Sequence, residues 1–146
     1  MTQIFELSFL LVAPFWLLMI LVPWWSVTRR VIASPFIAVG PALIYLALVL
    51  PDIATILPAV AQPTLEGIAA LLGTPRGATI GWQHFLAFDL LVARMIYLEA
   101  QPRGVPQWQL APVLLLTLLL GPIGYLLHFA WLRPRPVLGP ASAGGR

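Results

Sequence analysis

Residues 80–100 read IGWQHFLAFDLLVARMIYLEA. A bilayer crossing needs about 20 mostly apolar residues, and this stretch supplies them while holding His84, Asp89 and Arg94 inside it. An Asp at the middle of a spanning helix costs about 2.5–3.5 kcal/mol on insertion scales. Phe85, Leu86, Val92 and Ala93 occupy the positions three and four residues away, so nothing on the same helix face pairs with Asp89. Its partner is expected from another helix, a ligand or water, or else the carboxyl keeps its proton. With Gln83 set at 0° on a helical wheel, Arg94 falls near about 20°, His84 about 100°, Glu99 about 160° and Asp89 about 240°. Polar groups thus occupy more than one side, and the helix is expected to face protein rather than lipid over most of its circumference.

The rest of the chain supports a membrane setting. Of 146 residues, 60% are hydrophobic and 9% charged, against roughly a quarter charged in soluble domains. Three further apolar runs, about 4–22, 31–50 and 112–131, join 80–98 as segments of about 20 residues, or about 30 Å of helix. The expectation is an all-α integral membrane bundle of four transmembrane helices. A transmembrane domain over 1–132 is followed by a tail, 133–146, expected to be disordered because it is rich in Pro, Gly, Ala and Ser without periodicity. The N-terminal run lacks a basic leader and a small-residue cleavage site, so it is expected to remain as a helix.

Residues 51–79 carry too many prolines and polar residues for another full span. Leu65, Ile68, Ala69 and Leu72 fall at helical spacing, Thr64 suits an N-cap, and Gly73 with Pro75 supplies a stop. A short interfacial helix over 65–72, between the second and third spans, follows. Trp24, Trp25, Trp82, Trp108 and Trp131 lie near span ends, where indoles anchor in the headgroup layer. Arginine is nearly balanced between the loops on the two sides. The adjacent Arg29 and Arg30 of the short first loop favour that loop in the cytoplasm and both termini outside it.

Several functions are excluded. There is no cysteine, hence no disulfide, thiolate metal site or catalytic thiol. The net charge of +3 comes from eight scattered arginines without lysine, which leaves no basic stripe for nucleic acid. Pro14, Pro41 and Pro122 each remove a backbone donor, so kinked, closely packed helices are expected. Thr117, Gly121, Gly124 and His128 share one face of the last span, a small-residue stripe suited to close packing. Counted from the centres of oppositely directed spans, His84 at about 7.5 Å and His128 at about 9 Å lie toward the same membrane face. Two imidazoles with carboxylates nearby suit proton transfer, a metal or a haem. Each also has an ordinary structural role as a hydrogen-bonding group.

These residues resemble a known family. LLGTP at 71–75, HFLAFDL at 84–90, Arg94 with IYL at 96–98, and GPIG at 121–124 with His128 downstream are similar to the abscisic-acid-deficient-four family of small membrane proteins. The resemblance covers roughly the second half of the chain. It implies a multi-pass membrane protein of carotenoid metabolism, linked in plants to conversion of violaxanthin to neoxanthin. That reaction opens an epoxide and forms an allene, which requires an acid and a base. On this reading His84, Asp89 and His128 are the acid–base candidates. Phe85, Phe88, Arg94, Gly121, Gly124 and Tyr125 are the residues expected to line a polyene tunnel. The expected partners are membrane lipid and a hydrophobic polyene, in a homo- or hetero-oligomer; no cofactor follows. The alternatives are a non-catalytic module that binds a carotenoid or a partner protein, and a haem or metal carrier.

Overall fold

Apolar runs punctuated by proline dictate the element order. The computed structural model describes residues 1–137. Seven α-helices are described: α1 (Thr2–Leu21), α2 (Ser26–Ala33), α3 (Val39–Val49), α4 (Ile53–Ala61), α5 (Leu65–Leu72), α6 (Pro75–Ala100) and α7 (Gln107–Leu127). Residues 138–146, most of the tail expected to be disordered, lie outside the described residues.

Local chemistry explains most of the boundaries. α2 stops at Ala33 because Ser34 precedes Pro35, and a residue before proline is pushed out of the helical region. Pro35–Ala38 forms a 3-10 turn leading into α3. Pro41 therefore sits in the first turn of α3, where a missing N–H costs no helical bond. It was expected inside a span, as a source of a kink, and instead stands at the start of a helix. Thr64 caps α5 by accepting the Gly67 N–H at 3.0 Å. α6 opens on Pro75, the favoured first residue, and the Thr74 hydroxyl accepts the Gly77 N–H at 2.9 Å. After α6, Gly104 adopts a left-handed φ of 57°, closing the Gln101–Arg103 turn.

Among the described residues, three helical segments are long and apolar enough to cross a membrane: Thr2–Leu21, Pro35–Ala61 and Gln107–Leu132. The second is longer than the 31–50 run expected, because Pro51 lies in the opening turn of Leu50–Asp52 and lets α4 continue from α3. α6 matches them in length, with 26 residues. Gln83, His84, Asp89 and Arg94 lower the hydropathy of its central stretch, and it is not in that group. The protein is all-α, membrane-associated and multi-pass.

The chain divides into two compact units. The first comprises Met1–Ala13 and Ala38–Phe88. Here a Cβ on Gly40 would lie 2.9 Å from Leu11, so α1 and α3 approach closely. The Phe5 and Trp82 rings meet at 5.3 Å. The second comprises Pro14–Ile37 and Asp89–Arg146. Its core holds Trp16, Met19, Ile32, Leu90, Tyr97 and Leu114. The Tyr97 hydroxyl donates to the Pro23 carbonyl at 2.6 Å and ties α6 to the end of α1.

α6 is not enclosed all round, as its wheel had suggested. Thr79, Gln83, Leu86, Leu90, Ala93 and Tyr97 form a buried stripe at helical spacing, while His84, Phe85, Phe88 and Leu91 are exposed. Polar residues are scattered around the wheel, but this buried stripe runs along one side.

Candidate functional site

In the first unit, α3, α4, α5 and the start of α6 enclose an open-sided apolar hollow of about 240 Å³. Tyr45, Ile56, Leu72, Ile80, His84 and Phe85 line it. His84 is held by aromatic rings. It stacks on Phe88 at 4.6 Å between centroids, meets Phe85 edge-on at 6.3 Å, and faces Tyr45 at 5.7 Å. Among the described residues, the imidazole makes no hydrogen bond beside these ring contacts. An imidazole can act as a general base or acid, and a phenolic O–H can donate or accept a hydrogen bond.

In the second unit, Asp89 and Gly121 come together. A Cβ on Gly121 would collide with the Asp89 carboxyl. α7 leaves helical geometry at Leu120, with φ −145° and ψ 59°, one residue before that glycine. Pro122 follows, removing another N–H. The backbone turns so sharply that a Cβ on Gly124 would strike Thr117, including its main chain. Non-helical backbone at membrane depth persists only where protein or a water-filled cavity surrounds it, and Gly121 and Gly124 are both buried. Lacking a Cβ, Gly121 admits the Asp89 carboxyl and Gly124 admits the sharp bend. Tyr125 is partly exposed and lies 6.5 Å from Phe129 between ring centroids.

His128 is 1% exposed, and its Nε2 lies 3.2 Å from Oε2 of Glu99. Arg133 reaches the same carboxylate oxygen at 3.8 Å. Arg103 donates to the Glu99 carbonyl at 2.6 Å and to the Arg133 carbonyl at 3.3 Å. Helix α6 and the π-helical turn His128–Leu132 are thereby clamped at one end. Arg94 donates to the Ala33 carbonyl at 2.6 Å, the favourable place for a cation at the C-terminus of α2.

The structure thus brings His84, Phe85 and Phe88 together in one unit, and Asp89 with Gly121 in the other, where His128 joins Glu99. Tyr45, Asp52, Arg76 and Glu99 were missed as participants. Their partners are 24 to 39 residues away: Arg76 pairs with Asp52, Glu99 with His128 and Tyr45 with His84. Among the described residues, no group of three His, Cys, Asp or Glu is placed to hold a metal ion.

No solved structure matches the chain. It is similar to the chloroplastic Protein ABA DEFICIENT 4 of Arabidopsis thaliana, with 27% identity over 134 residues, covering 88% of this chain and 60% of that relative. The chain therefore spans about 60% of the length of the curated relative it matches. The family described as ABA DEFICIENT 4-like matches residues 3–128. The likeness first seen in the second half thus extends through α1 and α3, and its last residue is the buried imidazole beside Glu99. Helix content, apolar segments and a match over most of the chain agree that this is a multi-pass integral membrane protein of the ABA DEFICIENT 4-like family.

Proposed function

We propose that the protein acts on a carotenoid in the membrane, seating one end group in the hollow at His84 and rearranging it by proton transfer. The observation that carries this reading is the pairing of Tyr45 and His84 at the wall of an otherwise apolar hollow. At about 240 Å³ the hollow is smaller than the roughly 300–1,000 Å³ of pockets that enclose drug-sized ligands. It suits the ring at one end of a long polyene, with the chain leaving along the exposed Phe85 and Phe88. On this reading α6 is a fourth spanning helix, and its exposed side meets ligand and acyl chains.

An isomerisation that opens an epoxide to an alcohol and an allene is balanced in atoms and electrons. One proton goes to the departing oxygen, and one leaves the carbon chain. Tyr45 is assigned as the donor and His84 as the acceptor. Asp89 and His128, the other acid–base candidates from the sequence, are assigned to holding the second unit: the carboxyl sits against the break in α7, and the imidazole is enclosed with Glu99. Arg94, engaged by Ala33, is assigned to packing.

The test is incubation of the purified protein, in lipid discs, with an epoxy-carotenoid, followed by chromatography of the pigments. Product should form, and Tyr45→Phe and His84→Gln should each reduce the rate by about 10²-fold or more while the pigment stays bound. Pigment bound but unchanged by the wild type would identify a binding module instead. Neither binding nor product would overturn the carotenoid reading altogether.

A further inference from the structure

A second hollow, of about 160 Å³, adjoins the first. Ile56, Leu71, Gly77 and Ile80 line both, so the two are neighbours along α4, α5 and α6. Its character is different. Asp52, Thr55, Thr74 and Arg76 face it. Arg76 is ion-paired to Asp52 through Nε and donates from Nη2 to the Leu48 carbonyl at 2.8 Å. Thr74 is occupied by its contacts to Gly77 and Leu71, whereas Thr55 makes no side-chain hydrogen bond among the described residues.

The geometry points to a polar subsite that recognises a neutral hydroxyl on the end group of an amphiphilic ligand whose apolar body fills the adjoining hollow. Charge decides the class. Among the described residues, the cation and the anion facing the polar hollow, Arg76 and Asp52, neutralise each other, so a phosphate or carboxylate head would meet no net positive charge there and would lie beside the Asp52 carboxylate. A hydroxyl donates to a carboxylate, which has about four acceptor positions, and accepts from a guanidinium, which has about five N–H donors, leaving the ion pair intact. Thr55 supplies a further donor and acceptor. The site therefore favours a hydroxylated ring over a hydrocarbon ring of the same shape, because the hydrocarbon buries these polar groups without replacing their hydrogen bonds to water.

This inference rests on the carotenoid reading of the apolar hollow, and the test separates the two. The full chain is placed in discs of phosphatidylcholine, and the affinities for β-carotene and for its dihydroxylated analogue zeaxanthin are measured by quenching of tryptophan fluorescence. The wild type should bind zeaxanthin about tenfold more tightly, the worth of one or two net hydrogen bonds. Asp52→Asn combined with Arg76→Gln removes both charges together and should bring the ratio to about one with β-carotene affinity kept. Where that pair of substitutions fails to fold, Thr55→Val makes the same comparison and should lower the ratio. Equal affinities in the wild type, or a ratio unchanged in the variants, would overturn the polar subsite while the carotenoid reading stands. If neither pigment binds, both fall. If phosphatidylglycerol in the discs competes with zeaxanthin in the wild type but not in the charge-removed variant, the hollow holds a lipid phosphate and the hydroxyl assignment is wrong.

Discussion

Gly121 shows how much one hydrogen in place of a methyl group matters in this protein. Its missing side chain is what lets the Asp89 carboxyl reach the break in α7. Gly121→Ala should lower stability by about 1–3 kcal/mol, as overpacking does, read as a drop in thermal midpoint in detergent. Asp89→Ala should remove most of that penalty, so the double variant should lose much less than the sum of the two single losses. Strict additivity would show that the carboxyl and the glycine do not share a site. Tyr97 offers a cleaner case. It is fully buried, and its hydroxyl donates to Pro23. Tyr97→Phe leaves that carbonyl without its donor and should cost about 1–3 kcal/mol in unfolding measurements. An unchanged midpoint would remove that tie from the account. The sequence named Asp89 and Gly121 separately, from depth in the span and from small-residue spacing. It did not join them, because 32 residues separate them and no local periodicity encodes a contact between helices.

At the scale of elements, legibility follows how local the cause is. α5 is written in adjacent residues: a threonine cap, four apolar positions at helical spacing, and a glycine before the next proline. The passage from α3 into α4 was not legible, because Pro51 ordinarily signals a stop and here stands in the one turn where it costs nothing. α6 was read as enclosed because its polar residues surround the wheel, whereas its buried side is set by where apolar neighbours lie. The proposed crossing of α6 has a direct check. The chain has no cysteine, so single cysteines at Gln62 and Gln101 report their side of the membrane to an impermeant maleimide. α5, with eight residues, spans only about 12 Å and cannot cross between Gln62 and α6. The two positions should label from opposite faces. Labelling from the same face would place α6 outside the list of spanning helices.

For the whole molecule, composition and hydropathy settle the class, and the family match settles kinship; the proposed chemistry rests on side chains that only the fold assembles. The Tyr45 and His84 pair spans 39 residues of sequence, and nothing in either neighbourhood marks Tyr45 as a partner. The decisive measurement is pigment retention by protein purified from carotenoid-producing cells, comparing the wild type with Gly81→Leu. Gly81 lines the apolar hollow, and a first side-chain carbon there would lie 3.4 Å from Leu72, so a leucine fills the space without breaking helix α6. The wild type should carry the three-banded absorption of a polyene, and the filled variant should elute at the same volume without colour. A colourless wild type, or a variant that keeps its pigment in full, would contradict the placement of a carotenoid end group beside His84.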